Sequence, residues 1–403
     1  MPAAIVTGAT GILGREIVSA LGKDPKTWTT VHALSRSAKE TYPANVKHDA
    51  VDLTGSAEDL AKQLEGVEAE YLFFAAYLQK DTDEEDWDAN GAMLENFLNA
   101  LALTGAEAKL KRVVLTTGAK QYGVHLGAPK NPMEESDPWV DGPDRPLNFY
   151  YNQQRILKKA AEGKSWDWVV TYPNDVIGVA KGNFMNLSTS LGLYCAITKE
   201  LGRTLVFPGS KAFYTRFDCF TYSKLHADFN LWAATEPKAG NQAFNVVNGD
   251  AESWQNMWPK VARHFGLKIP EDQFAVPSGD SSTMKLAERP PIADVAADRG
   301  LVGRVEQGLV EQHIDLTKWS QKDEVKDAWS RLAERDGLDS QAFEKATWGF
   351  LGFVLGRNYD LVISMSKARR FGWTGYVDTW DALSTTFEDL EEEKILPKTK
   401  QAK

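Results

Sequence analysis

A chain of 403 residues with 43% hydrophobic content can bury a large core, as one large or two associated domains. Its net charge of -10 disfavours nucleic acid or an anionic membrane as partner, while leaving room for a local basic pocket that takes a phosphate. Cys195 and Cys219 are too few for a disulfide framework, and no apolar run reaches the ~18 residues of a membrane span, so the expected setting is soluble and cytoplasmic.

The opening residues MPAAIVTGAT run into a strand, with no secretion signal expected before it. Ala3 to Val6 are apolar, TGATGILG (Thr7 to Gly14) follows, and Leu13, Ile17 and Leu21 recur at i+4 spacing. That is strand, glycine turn and amphipathic helix. Gly8 permits the tight turn, Gly11 lets the backbone approach a pyrophosphate, and Gly14 lets the helix pack closely on the strand. The helix N-terminus then offers unpaired N–H groups and a positive dipole end to the phosphates. The second strand, VHAL (31–34), ends in Ser35-Arg36-Ser37. An NAD enzyme would carry an Asp or Glu there, about 20 residues past the glycines. A guanidinium and two hydroxyls suit a 2'-phosphate instead, and no acid follows until Glu40. NADPH is the expected cofactor.

Apolar runs and helical stretches continue to alternate: VDL near Asp52, YLFFAAY (71–77), a helix over roughly 88–102, RVVLTTG (112–118), WDWVVTYP (166–173) and RTLVFPG (203–209). This order predicts an α/β fold, a Rossmann-type doubly wound parallel sheet. From about residue 184 longer helical stretches dominate, which predicts a smaller, mostly helical substrate-binding region. The expected division is 1–183 for NADP binding and 184–403 for substrate, with further Rossmann elements interleaved at about 203–250. The six histidines lie far apart, no HxxxH or CxxC occurs, and no metal is expected.

PLNFYYNQQR (146–155) carries two adjacent tyrosines without the YxxxK lysine, because the i+4 residues are Gln154 and Arg155. A lysine does occur just past the strand RVVLTTG, at Lys120. Residues beyond the carboxyl end of a strand in such a sheet face the ligand crevice. In chain order, TGATGILG, LSR, DANGAML, TTGAKQY, NFYY, YPNDVIG, LVFPGSK and QAFNVVN resemble the progesterone 5-beta-reductase/iridoid synthase-like family of extended short-chain dehydrogenases. The resemblance implies that Lys120 and Tyr151 form the catalytic pair and that Tyr150 is a packing aromatic. It also implies that Pro173, Asn174 and Val176 lie over the nicotinamide and that Phe350 lines the substrate pocket. The expected cofactor contacts are thus Thr7, Gly8, Thr10, Gly11, Ile12, Gly14, Ser35, Arg36, Ser37, Asp52, Leu53, Ala75, Thr117, Lys120, Tyr151, Pro173, Asn174 and Val176. Tyr77, Tyr122 and Phe350 are the expected substrate contacts.

Departures from the family pattern, at Ala76-Tyr77, Gln121 and Asn152 to Arg155, are expected around the pocket mouth. The expected activity is NADPH-dependent 1,4-reduction of an enone or enal, with a small hydrophobic carbonyl compound as substrate and a homodimer as the assembly. A carbonyl reductase using the same pair, and a redox-silent NADP-binding regulator, are the alternatives. A sugar-nucleotide epimerase is disfavoured by the missing YxxxK.

Overall fold

The computed structural model describes residues 2–37, 41–180, 185–275 and 279–399. Seven segments with strand character, β1 (Ala3–Thr7), β2 (Thr30–Ser35), β3 (Val46–Ala50), β4 (Tyr71–Phe74), β5 (Arg112–Thr116), β6 (Asp167–Pro173) and β7 (Gln242–Val246), form one sheet. Its order is β7-β6-β5-β4-β1-β2-β3, and every pairing is parallel. The central strands are near-continuous apolar runs because helices cover both faces: Ile5, Val6, Phe73, Phe74, Val113 and Val114 are all fully buried. Strand order reverses between β1 and β4, which opens a crevice at their carboxyl ends.

Helix α1 (Gly14–Gly22) follows the glycine turn, and α2 (Ala57–Gln63), α3 (Asp83–Leu103) and α4 (Phe149–Ala161) follow along the chain. α3 packs between α2 and α4, on the face opposite α1 as right-handed crossovers require. Local capping sets where these helices start. Thr82 accepts the Glu85 N–H at the head of α3, and Asn148 accepts the Tyr150 N–H at the head of α4. Four acids, Asp83 to Asp86, occupy the first turn of α3, where the dipole favours negative charge.

The later part of the chain is largely helical: α5 (Leu187–Glu200), α6 (Ser223–Thr235), α7 (Trp254–Phe265), α8 (Asp323–Asp336), α9 (Trp348–Gly356) and α10 (Thr379–Glu392). All of them bury side chains in a second apolar cluster that includes Leu191, Leu225, Trp258, Leu332, Leu351 and Phe387. α6 enters it only through Leu225 and otherwise packs against α1 on the sheet. The boundary expected at 183/184 falls on residues outside the described ones. One expected strand is absent: RTLVFPG (203–209) forms none, although Leu205 N–H donates to Lys268 O at 2.8 Å. The edge of β6 is taken by β7, and the 203–209 run lies instead in the second apolar cluster, where Leu205 and Phe207 are fully buried. No helix among the described residues is long and apolar enough to cross a membrane.

Candidate active site

A cleft of about 390 Å³ opens at the carboxyl ends of the strands, where the order reverses. Gly8, Thr10, Gly11 and Ile12 line one end of it. Gly8 adopts a φ of +66°, which an L side chain rarely adopts, and a Cβ there would stand 2.7 Å from Ala75 O. Gly14 does not line the cleft. A Cβ there would meet Gly8 O at 2.1 Å, so its role is to let α1 close onto the turn, as expected. Thr7, an expected contact, is fully buried within β1 and does not reach the cleft.

At the end of β2, Ser35 and the exposed Arg36 line the mouth. Ser37 does not, and its carbonyl takes the Ser35 hydroxyl at 3.0 Å. The Ser35 hydroxyl also lies 2.9 Å from His48 Nε2, so Arg36 is the charged donor that the expected trio brings to the cleft. Asp52, Leu53 and Ala75 line the neighbouring wall. Asp52 is held below the usual carboxylate range by hydrogen bonds from the Thr54 side chain and backbone.

The middle of the cleft decides the tyrosine question. Thr117 and Lys120 line it from the β5 end, and Pro173, Asn174 and Val176 from the β6 end. Of the two tyrosines, Tyr150 faces the cleft and Tyr151 does not. The Tyr151 hydroxyl donates to Gln121 O at 2.7 Å and accepts the Val140 N–H at 2.9 Å, and its ring stacks on Trp139 at 4.6 Å. The expected site role of Tyr151 therefore fails on geometry. Successive helical residues project about 100° apart, so Tyr150 and Tyr151 point in different directions: Phe149, Tyr150 and Gln153 of α4 line the crevice and Tyr151 turns away from it. Asn148 fixes which one: it caps α4 and donates through Nδ2 to Lys120 O at 2.8 Å, tying the helix start to the Lys120 segment.

Burial and the Asp86 carboxylate push the Tyr150 phenol well above its ordinary range, so it is a neutral proton donor. Burial lowers Lys120, while Asp86 and then Asp83 oppose that shift. His125, on the same wall, is driven down to about 3 by burial and then by Lys120, and is a neutral imidazole.

Among the expected substrate contacts, Tyr77 and Phe350 line the cleft. Tyr77 stacks on Phe149 at 5.2 Å. Tyr122 is a correction: it is 4% exposed, its hydroxyl donates to Asn245 Oδ1 at 2.6 Å, and it borders a separate cavity. The departures Gln121 and Gln154 also sit elsewhere than the mouth. Both are buried and joined by a 2.8 Å hydrogen bond, and Gln154 Oε1 accepts the Tyr172 hydroxyl at 2.9 Å. Arg155 pairs with Asp141 and lies over the Trp87 and Trp139 rings, away from the cleft.

Sequence reasoning placed Asp175 in the segment over the nicotinamide but missed Arg357 and the buried ion pair the two form in the cleft wall. Asp175 holds a φ of 33°, and Asp218 stands behind it, 3.5 Å from Arg357 Nη1. The partners are 182 residues apart, and no local pattern announces such a pairing.

Residues 4–279 match the family model of the PRISE-like Rossmann-fold domain. The chain belongs to that family. Membership bears out the resemblance carried by TGATGILG, TTGAKQY and NFYY. A PRISE-like assignment also agrees with the relatives. The chain is 42% identical to an uncharacterized protein of Schizosaccharomyces pombe, covering 98% of each. It is 28% identical to the (S)-8-oxocitronellyl enol synthase ISY1 of Nepeta racemosa, over 98% of this chain and 93% of that one. It is 26% identical to the 3-oxo-Delta(4,5)-steroid 5-beta-reductase of Arabidopsis thaliana, with the same coverage of 98% and 93%. Among solved structures, the UDP-glucose 4-epimerase of Thermotoga maritima matches with a TM-score of 0.60 at 14% identity, over 97% of this chain and 99% of that one. That likeness shows the extended Rossmann fold.

Proposed function

We propose that this protein is an NADPH-dependent reductase of α,β-unsaturated carbonyl compounds, with Tyr150 and Lys120 as the donor pair. The observation that carries the reading is a neutral, buried phenol and a lysine lining the same strand-end cleft, in a PRISE-like chain. The relatives support the same chemistry, since one is a 3-oxo-Delta(4,5)-steroid 5-beta-reductase and another an (S)-8-oxocitronellyl enol synthase.

The residues present fit the cofactor. The glycine turn at Gly8 and Gly11 would hold the pyrophosphate, Arg36 the 2'-phosphate, and the Pro173–Val176 segment the nicotinamide. NADPH, when bound, supplies a hydride. Tyr150 would donate a hydrogen bond to the substrate carbonyl oxygen, where negative charge collects as the β-carbon is reduced to give an enolate. A preorganised donor at that oxygen is worth roughly 3–4 kcal/mol of barrier. Lys120, as an ammonium, would add positive charge to the same cleft wall. Phe350, Phe353 and Met185 give the substrate end an apolar wall, which suits a hydrophobic carbonyl compound.

The test is hydride destination. With deuteride-labelled NADPH and a simple enone or enal, label is expected at the β-carbon of a saturated carbonyl product. Label solely at the carbonyl carbon would overturn this reading in favour of a carbonyl reductase.

A further inference from the structure

Asp175 comes just after the carboxyl end of β6, and Arg357 directly follows α9, the helix whose Phe350 and Phe353 line the cleft. Both charged residues line the same cleft, and both are buried. Arg357 grips the Asp175 carboxylate with two prongs: Nη1 donates to Oδ2, and Nη2 donates to Oδ1 at 3.1 Å. The guanidinium lies 5.3 Å from the centre of the Phe353 ring, and the Arg357 carbonyl accepts the Ser210 hydroxyl at 2.6 Å. Next to Asp175, the Asn174 side chain donates to Asp218 Oδ1 at 3.1 Å and to Cys219 O at 2.7 Å. The Pro173–Val176 segment is thus fastened to the end of α9 through the Asp175 carboxylate.

Neutralising a buried guanidinium does not by itself call for Asp175. Asp218 Oδ2 already stands 3.5 Å from Nη1 and has no hydrogen-bond partner among the described residues. What Asp175 adds is geometry. Its φ of 33° lies in the left-handed region, where a backbone other than glycine is strained and persists because its surroundings hold it. A two-pronged contact between guanidinium and carboxylate fixes both distance and plane, which a point charge would not. The strained residue sits in the segment that would hold the nicotinamide, and its clamp is the residue that ends the helix of the substrate wall.

We propose that Arg357 is a positioning residue: through Asp175 it clamps the Pro173–Val176 segment onto α9, so that filling the nicotinamide site also stiffens the substrate wall. The proposal rests on reading that segment as the nicotinamide site, and its test needs no substrate and no turnover. Amide hydrogen exchange is followed by peptide mass spectrometry, with and without saturating NADP+, in the wild-type protein, Asp175→Asn, Arg357→Lys and Asp218→Asn. In the wild type, NADP+ should slow exchange at residues 8–14, at 173–177 and along α9. Asp175→Asn removes the charge yet suits the left-handed backbone, and Asp218 remains beside the guanidinium, so the variant should stay folded. In it the slowing at 8–14 should persist, while the slowing along α9 should shrink by about fivefold or more. Arg357→Lys, which keeps the charge but loses the fork, should behave likewise. Asp218→Asn spares the pair and should respond as the wild type does, a contrast that a merely structural role for buried charge would not produce. An α9 response that is absent from the wild type, or undiminished in either pair variant, overturns the proposal. No slowing at residues 8–14 would overturn the cofactor reading itself, and the proposal with it.

Discussion

The Tyr150 hydroxyl lies against the backbone of Gly118: a Cβ at that glycine would stand 3.1 Å from the hydroxyl and 3.3 Å from the ring edge. Gly118 has extended backbone that any residue can adopt, so space, not conformation, requires glycine here. Gly118→Ala should push the Tyr150 ring by a few tenths of an ångström, displacing the hydroxyl from the substrate oxygen. Turnover is expected to fall by about tenfold or more, because small misplacements of a reacting group are costly. The melting temperature should move by only a few degrees. A steady-state assay beside a thermal melt checks both.

Exchange of either tyrosine separates the two roles. Tyr150→Phe should lower kcat by roughly a hundredfold or more with little change in NADPH affinity. Tyr151→Phe removes the partner of two buried groups, Gln121 O and Val140 N–H, and should cost about 1–3 kcal/mol of stability. Its kcat should stay within a few-fold of wild type. The reverse ranking would return the catalytic role to Tyr151.

Cofactor choice should hang on Arg36. NADPH should bind at least about tenfold more tightly than NADH, and Arg36→Ala should remove most of that preference, a charge-assisted contact being worth about 1.5–3 kcal/mol. Because Ser37 lies off the cleft, Ser37→Ala should leave the ratio nearly unchanged. Fluorescence titration with both nucleotides measures it.

The Asp218 carboxyl is pushed well above the carboxylate range by burial first and the Asp175 charge second, against the pull of Arg357. A group raised in the folded state contributes stability below its unfolded value, about 4, and loses it as pH rises through the folded value. Stability should therefore decline with pH above about 4 on account of this residue. Asp218→Asn, which needs no buried proton, should flatten that decline and be neutral or stabilising at pH 8. Urea melts between about pH 5 and 9 would show it, and a variant that is strongly destabilised at pH 8 would count against a protonated Asp218.

Arg357→Met, by contrast, leaves Asp175 uncompensated at a buried site. A loss of about 3–5 kcal/mol is expected. If the urea midpoint barely shifts, the pair is not the fixed charge that its burial implies.

What the sequence by itself determined is the part of the protein written in short-range patterns. The strand, glycine turn and helix at Thr7 to Gly14, the basic end of β2 at Arg36, and Lys120 just past β5 each follow from a few adjacent residues. Period and turn chemistry act over that range. Only the tertiary structure decided which of Tyr150 and Tyr151 meets the crevice, since neighbours on a helix differ only in rotation about its axis, and the Asn148 cap with its bond to Lys120 O sets that rotation. It also turned Tyr122 onto Asn245, buried 203–209 in the second apolar cluster rather than in the sheet, and brought Arg357 to Asp175. These depend on which surfaces a folded chain brings together, and contacts between residues more than a hundred positions apart leave no periodic trace in either segment.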